Sequence, residues 1–134
     1  MLTPQPRAQT GKTASSQTVC LVDDDPSVRK AVTRLLESAG FSVVAFAEAE
    51  PFLKYLAINS VSVAVLDIWM ERMTGLELLA HLCARSPQTR VIFITAHEDA
   101  AAEATVKQAG AFAFLVKPFD DEKFLSLVSR AFDL

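Results

Sequence analysis

The chain has 134 residues, 51% of them apolar and 22% charged, a balance that builds one globular core and excludes a disordered chain. The net charge of −3, without any basic cluster, argues against direct binding to nucleic acid. No apolar run approaches the roughly 20 residues that span a bilayer, and the polar N-terminus lacks the apolar stretch of a secretory signal. The 2 cysteines give neither a disulfide framework nor a metal-ligand spacing, which fits a reducing, cytoplasmic setting.

Residues 1–17 are rich in Thr, Gln, Ser and Pro and read as a flexible N-terminal tail, leaving one domain over residues 18–134. Gly11-Lys12-Thr13 looks like the end of a phosphate-binding loop. The earlier glycine that such a loop needs is replaced by Pro6, and no strand leads in. From residue 18 two periods alternate. Apolar runs at Val19–Val22, Phe41–Phe46, Val61–Leu66, Val91–Ile94 and Ala111–Val116 suit strands of a parallel sheet covered on both faces. Helical patterns lie between them. The first is a stripe of Val28, Val32, Leu35, Leu36 and Ala39, capped by Asp25, entered at Pro26 and closed by Gly40. Pro51 opens the second, through Phe52, Leu53 and Leu56. Thr74 to Glu77 has capping-box spacing before Leu78, Leu79 and Leu82. Asp99 opens an alanine-rich fourth helix ending near Gly110, and Asp120 caps a fifth with Phe124, Leu127, Val128 and Ala131 on its apolar face. Five βα units predict an α/β fold, an open, doubly wound, five-stranded parallel sheet.

In such sheets ligands bind beyond the carboxyl ends of the strands, where the strand order reverses. The first run ends in Asp23-Asp24-Asp25, the third in Asp67, the fourth in Thr95 and the fifth in Lys117-Pro118. Asp25 is accounted for as a helix cap. Asp23, Asp24 and Asp67 are not, because clustered carboxylates repel unless a cation joins them. An all-oxygen site suits magnesium better than zinc.

Residues 18 to about 132 resemble the receiver domain of two-component response regulators. The matching segments are VCLVDDDPSVRKAV, VLDIWMERMTGLELL, VIFITAH and AGAFAFLVKPF, in that order. Their wording is similar to the receivers of FixJ/NarL-type transcription regulators. The resemblance implies a flavodoxin-like sheet of order 2-1-3-4-5 and a phosphorelay role. Asp67 would accept a phosphoryl group from a sensor histidine kinase. Asp24 would bind Mg2+ directly, Asp23 through water, and the backbone carbonyl of Trp69 would add a ligand. Thr95 would be the switch hydroxyl, Lys117 the phosphate partner and Phe114 the switch aromatic. Phosphorylation would remodel a surface of the fourth helix, fifth strand and fifth helix for a partner or a homodimer. Glu71 stands where the family usually has proline, which should loosen that loop.

Elementary chemistry supports the same roles. Phosphoryl transfer requires alignment and charge neutralisation more than acid or base. With strands about 4.8 Å apart, a short hydroxyl at Thr95 reaches a group on the neighbouring strand, whereas Lys117, roughly 10 Å off, needs its long stem. The Lys117-Pro118 bond is a candidate for the cis isomer, which would aim the ammonium inward. Two rival functions fit less well. A metal-dependent phosphatase with an aspartate nucleophile needs an acid two residues on, where this chain has Trp69, so no turnover of free substrates is expected. A dinucleotide-binding module needs glycines where three aspartates stand. His97 finds no serine partner for a triad, His81 reads as a solvated helix residue, and Cys20 and Cys83 as core fillers. The resemblance implies that Trp69 and His97 border the path of a hydrolytic water and tune its attack, and a neutral imidazole at His97 could hold that water. The indole is expected to screen the phosphoryl group and lengthen its life. No helix-turn-helix follows the fifth helix, so the chain is either a stand-alone receiver or the receiver portion of a longer regulator.

Overall fold

The computed structural model describes residues 17–133. The tail expected over residues 1–17, with Gly11-Lys12-Thr13, therefore lies outside the described residues except at Gln17. The elements alternate strictly: β1 (Thr18–Val22), α1 (Pro26–Ser38), β2 (Ser42–Phe46), α2 (Ala49–Ile58), β3 (Val63–Asp67), α3 (Gly75–Arg85), β4 (Arg90–Thr95), α4 (Ala100–Gln108), β5 (Ala113–Val116) and α5 (Asp121–Phe132). All strand pairs are parallel, in the order β2-β1-β3-β4-β5. The expected doubly wound sheet is present.

Alternation within each strand divides the core into two. Val19, Leu21, Val63, Val65, Ile92 and Ile94 pack on one face against α1 and α5. Cys20, Val22, Ala64, Leu66, Val91 and Phe93 pack on the other against α2, α3 and α4. The central strand β3 is buried at every position, whereas the edge strand β2 is not buried at any. No helix among the described residues is long and apolar enough to cross a membrane.

The helix signals act largely as read. Asp25 caps α1 by accepting the Ser27 N–H at 2.8 Å, and Gly40 leaves that helix with φ of 95°. Thr74 and Glu77 form a reciprocal capping box, with bonds of 2.9 and 3.1 Å. Asp99 and Asp120 cap α4 and α5. The second helix differs: it begins at Ala49, two residues ahead of Pro51. First-turn amides have no intrahelical acceptor, so proline is tolerated there without being the first residue. Cys83 also differs. Cys20 is a buried filler whose thiol is pushed up to about 11 by burial, but Cys83 is exposed, with Sγ 3.6 Å from the Ala109 carbonyl oxygen. The apolar stripe of α3 passes through Leu78, Leu79 and Leu82 and leaves Cys83 at its margin. His81 is half-buried rather than fully solvated.

Gly75 shows how tightly α3 meets the sheet. Its N–H donates to the Ile68 carbonyl at 2.7 Å. A Cβ there would lie 2.5 Å from the Asp67 carbonyl oxygen and 2.8 Å from both Ile68 Cα and a Phe93 ring carbon. Two of those neighbours are backbone, so relief requires the whole helix start to retreat. Gly75→Ala should therefore destabilise the domain by about 2 kcal/mol, as overpacking does. Urea unfolding checks this, and a midpoint equal to the parent's would contradict it.

Candidate functional site

Strand direction gathers the chemistry at one rim. The chain passes from β1 outward to β2 and then returns to β3 on the other side, so order reverses between β1 and β3. Asp23 follows β1 and Asp67 ends β3, on either side of that point. Carboxylate oxygens of Asp23, Asp24 and Asp67 all lie within 4.8 Å of one another. Asp23 and Asp67 are buried and Asp24 is exposed, so the cluster has a dry floor and one wet member.

The two buried carboxylates are held by named partners. Asp23 Oδ1 accepts the Asp25 N–H at 2.9 Å, and Asp23 Oδ2 accepts from Lys117 Nζ at 3.1 Å. Lys117, beyond the end of β5, thus crosses above β4 and β3 to reach the first strand. The Lys117-Pro118 bond is cis. Asp67 Oδ1 accepts the Trp69 N–H at 3.3 Å. Burial above all, and then the Asp23 carboxylate, pushes the Asp67 carboxyl up to about 6. Lys117 and the Trp69 N–H pull it down, and Asp24 adds a smaller push upward.

The remaining expected residues are close by. Thr95 ends β4, one strand from Asp67, and is 1% exposed; its Oγ1 accepts the His97 N–H at 3.3 Å. Phe114 lies on β5 opposite Phe93, half-buried on the cluster that includes Val106, the one buried residue of α4. Trp69 is 51% exposed at the mouth of the site. His97 is exposed, and Glu71 borders a cleft of about 440 Å³ beside Asp24, together with Glu48, Glu50 and Arg72. Two contributors escaped sequence reasoning. Gly75 was legible only as a helix residue, although its missing side chain admits the Asp67 carbonyl. Arg29, on the polar side of α1, donates through Nη1 to the Asp23 carbonyl at 2.7 Å. Its signal was position: Cβ bonds tilt toward a helix N-terminus, so a long cation one turn in reaches back to the preceding loop.

The donor set fits a hard divalent cation. Three carboxylates within ligand reach outnumber the cations touching them, and all donors are oxygen. An acid-lined site at the switch point of a five-stranded parallel sheet is the arrangement of a doubly wound α/β domain that works at the carboxyl ends of its strands. The comparisons with known proteins narrow this. The family model for the response regulator receiver domain matches residues 19–129, and the chain belongs to that family. The chain is 41% identical over 113 residues to the DNA-binding transcriptional regulator NtrC of Escherichia coli K12, covering 84% of this chain and 24% of NtrC. It is 33% identical over 113 residues to the transcriptional regulatory protein FixJ of Bradyrhizobium diazoefficiens, covering 84% of this chain and 55% of FixJ. Among solved structures, the beryllofluoride-activated NtrC4 receiver domain dimer superposes with a TM-score of 0.82 at 30% identity, over 87% of this chain and 96% of that one. The chain thus spans about a quarter of NtrC and about half of FixJ.

The raised pKa of Asp67 has a consequence for stability. Its folded value, about 6, lies above the ordinary 3.8, so the fold prefers the protonated form. That contribution is fully present below about pH 4 and is lost as pH rises through about 6. Asp67→Asn, neutral throughout, should be more stable than the parent at about pH 8 by up to roughly 3 kcal/mol without divalent cations. The gap should close at low pH. A gap independent of pH in urea unfolding would contradict the electrostatic account.

Proposed function

We propose that Asp67 accepts a phosphoryl group from the phosphohistidine of a sensor histidine kinase, and that the domain passes the event on as a change of surface. The observation that carries this is the single rim holding buried Asp67 within 4.8 Å of Asp23 and Asp24, with Lys117 on the cluster and buried Thr95 one strand away. An Asp67 oxygen attacks phosphorus as the bond to the histidine nitrogen breaks. With its pKa near 6, the carboxylate is ionised at neutral pH and ready to attack. Asp23, Asp24, Asp67 and the backbone carbonyl of Trp69 would hold Mg2+, which neutralises charge on the transferring group when bound. Lys117 then exchanges its bond to Asp23 for one to the new phosphoryl oxygens.

Thr95 turns its hydroxyl toward the new anion, and Phe114 fills the space it leaves. Helix α4, anchored by Val106 as its one buried residue, shifts most readily. The face of α4, β5 and α5 then binds a partner or a second copy, a reading supported by the activated NtrC4 receiver dimer. NtrC and FixJ are transcriptional regulators, which supports transcription control through an output domain outside this chain. In this reading the domain turns over no free substrate, because Trp69 supplies no acid for a leaving group. Its free thiols suit a cytoplasmic location.

Incubation with Mg2+ and a small phosphodonor should add one acid-labile phosphoryl group, absent in Asp67→Asn and strongly reduced in Asp24→Ala. A label that persists in Asp67→Asn would refute the acceptor. With donor removed, the label should outlast that on Trp69→Asn, whose amide can orient a water the indole screens. Equal decay would refute screening.

A further inference from the structure

Asp23 is 0% exposed, so each of its polar groups must find a partner inside the protein. Its N–H makes the last rung toward β2, donating to the Phe46 carbonyl at 3.1 Å. Its two carboxylate oxygens take the Asp25 N–H and Lys117 Nζ. Its carbonyl, where the chain leaves the sheet, takes Arg29 Nη1 at 2.7 Å. That carbonyl belongs to the peptide joining Asp23 to Asp24. A peptide is planar, so holding its oxygen restrains the rotation of the plane that contains both α-carbons, and with it the backbone from which each carboxylate departs. Arg29 is anchored in the first turns of α1, its own N–H bonded to the Asp25 carbonyl at 3.0 Å. The guanidinium therefore closes a short loop from strand end to helix and back.

We infer that Arg29 is a positioning residue for the cation site, holding the Asp23–Asp24 peptide so that adjacent carboxylates face Asp67. The inference rests on the reading of Asp23 and Asp24 as Mg2+ ligands. Arg29 spends its hydrogen bond on a carbonyl, so it orients the acids without occupying either carboxylate.

Charge and position make opposite predictions, which gives a clean test. Removing a cation beside a carboxylate cluster, by charge alone, would tighten Mg2+ binding. Releasing the peptide plane would weaken it. Arg29→Met keeps the stem and removes both donor and charge; Arg29→Lys keeps the charge but replaces the planar fork by a single point. MgCl2 titration of the full chain can be followed by thermal stability and by fluorescence of Trp69, the 1 tryptophan in the sequence, whose backbone N–H donates to Asp67 Oδ1. Kd for Mg2+ should rise about tenfold in Arg29→Met and less in Arg29→Lys, within the range found for groups that orient metal ligands. An unchanged or lower Kd in Arg29→Met overturns the inference. Should that variant not fold, Arg29→Lys decides: a raised Kd supports it, and a Kd at or below the parent's overturns it. A parent that binds no Mg2+ overturns the proposed cation site together with this inference, whereas failure in the variants alone overturns only the role of Arg29.

Discussion

Three carboxylates are held within 4.8 Å of one another at one end of a parallel sheet, two of them out of water, and the surrounding structure is organised around that repulsion. Left to themselves such groups separate or take up protons. Here they cannot separate. Asp67 is the last residue of a strand buried at every position, and Asp23 follows a strand paired on both sides, so moving either would disrupt the ladder. The fold resolves the conflict by partial means: Lys117 on Asp23, the Trp69 N–H on Asp67, and a carboxyl at Asp67 raised to about 6. The unresolved remainder is what would favour a cation at the site, as the proposed function requires.

The same constraint bears on where the proposed switching elements lie. The β1–β3 side of the rim is stiff, with Asp23 bonded through backbone and side chain alike. The β4–β5 side is looser. Thr95 Oγ1 accepts a 3.3 Å bond from an exposed neighbour, Phe114 is half-buried, and α4 buries Val106 alone. In the proposed mechanism, a new anion on Asp67 would find its yielding responders on one side, and the response would be directed toward α4 and β5.

Much of this was legible because each signal was local and redundant. Strand runs and helix caps reinforced each other, so Asp25, Thr74, Asp99 and Asp120 marked helix starts that the structure keeps. Once the sheet was placed, Asp23, Asp24, Asp67, Thr95 and Lys117 fell at strand ends without further assumption. What escaped were contacts that no period encodes. Pro51 marked a boundary two residues late, because proline is tolerated anywhere in a first turn. Cys83 fell just outside an apolar stripe whose width composition does not set. Lys117 was read as a partner for phosphate, and its bond to Asp23 depends on three-dimensional reach across two strands. Arg29 and Gly75 serve the site through a carbonyl and through absent atoms, neither of which leaves a motif.

The most direct test of the central claim is the effect of Mg2+ on the stability of the parent and of Asp67→Asn, by urea unfolding at about pH 8. If uncompensated charge among the three carboxylates is the controlling feature, saturating Mg2+ should raise the parent's midpoint clearly; a ligand at 100 times its Kd contributes about 2.7 kcal/mol. It should raise that of Asp67→Asn much less, erasing the variant's advantage. Equal shifts in both proteins, or none in either, would contradict the account.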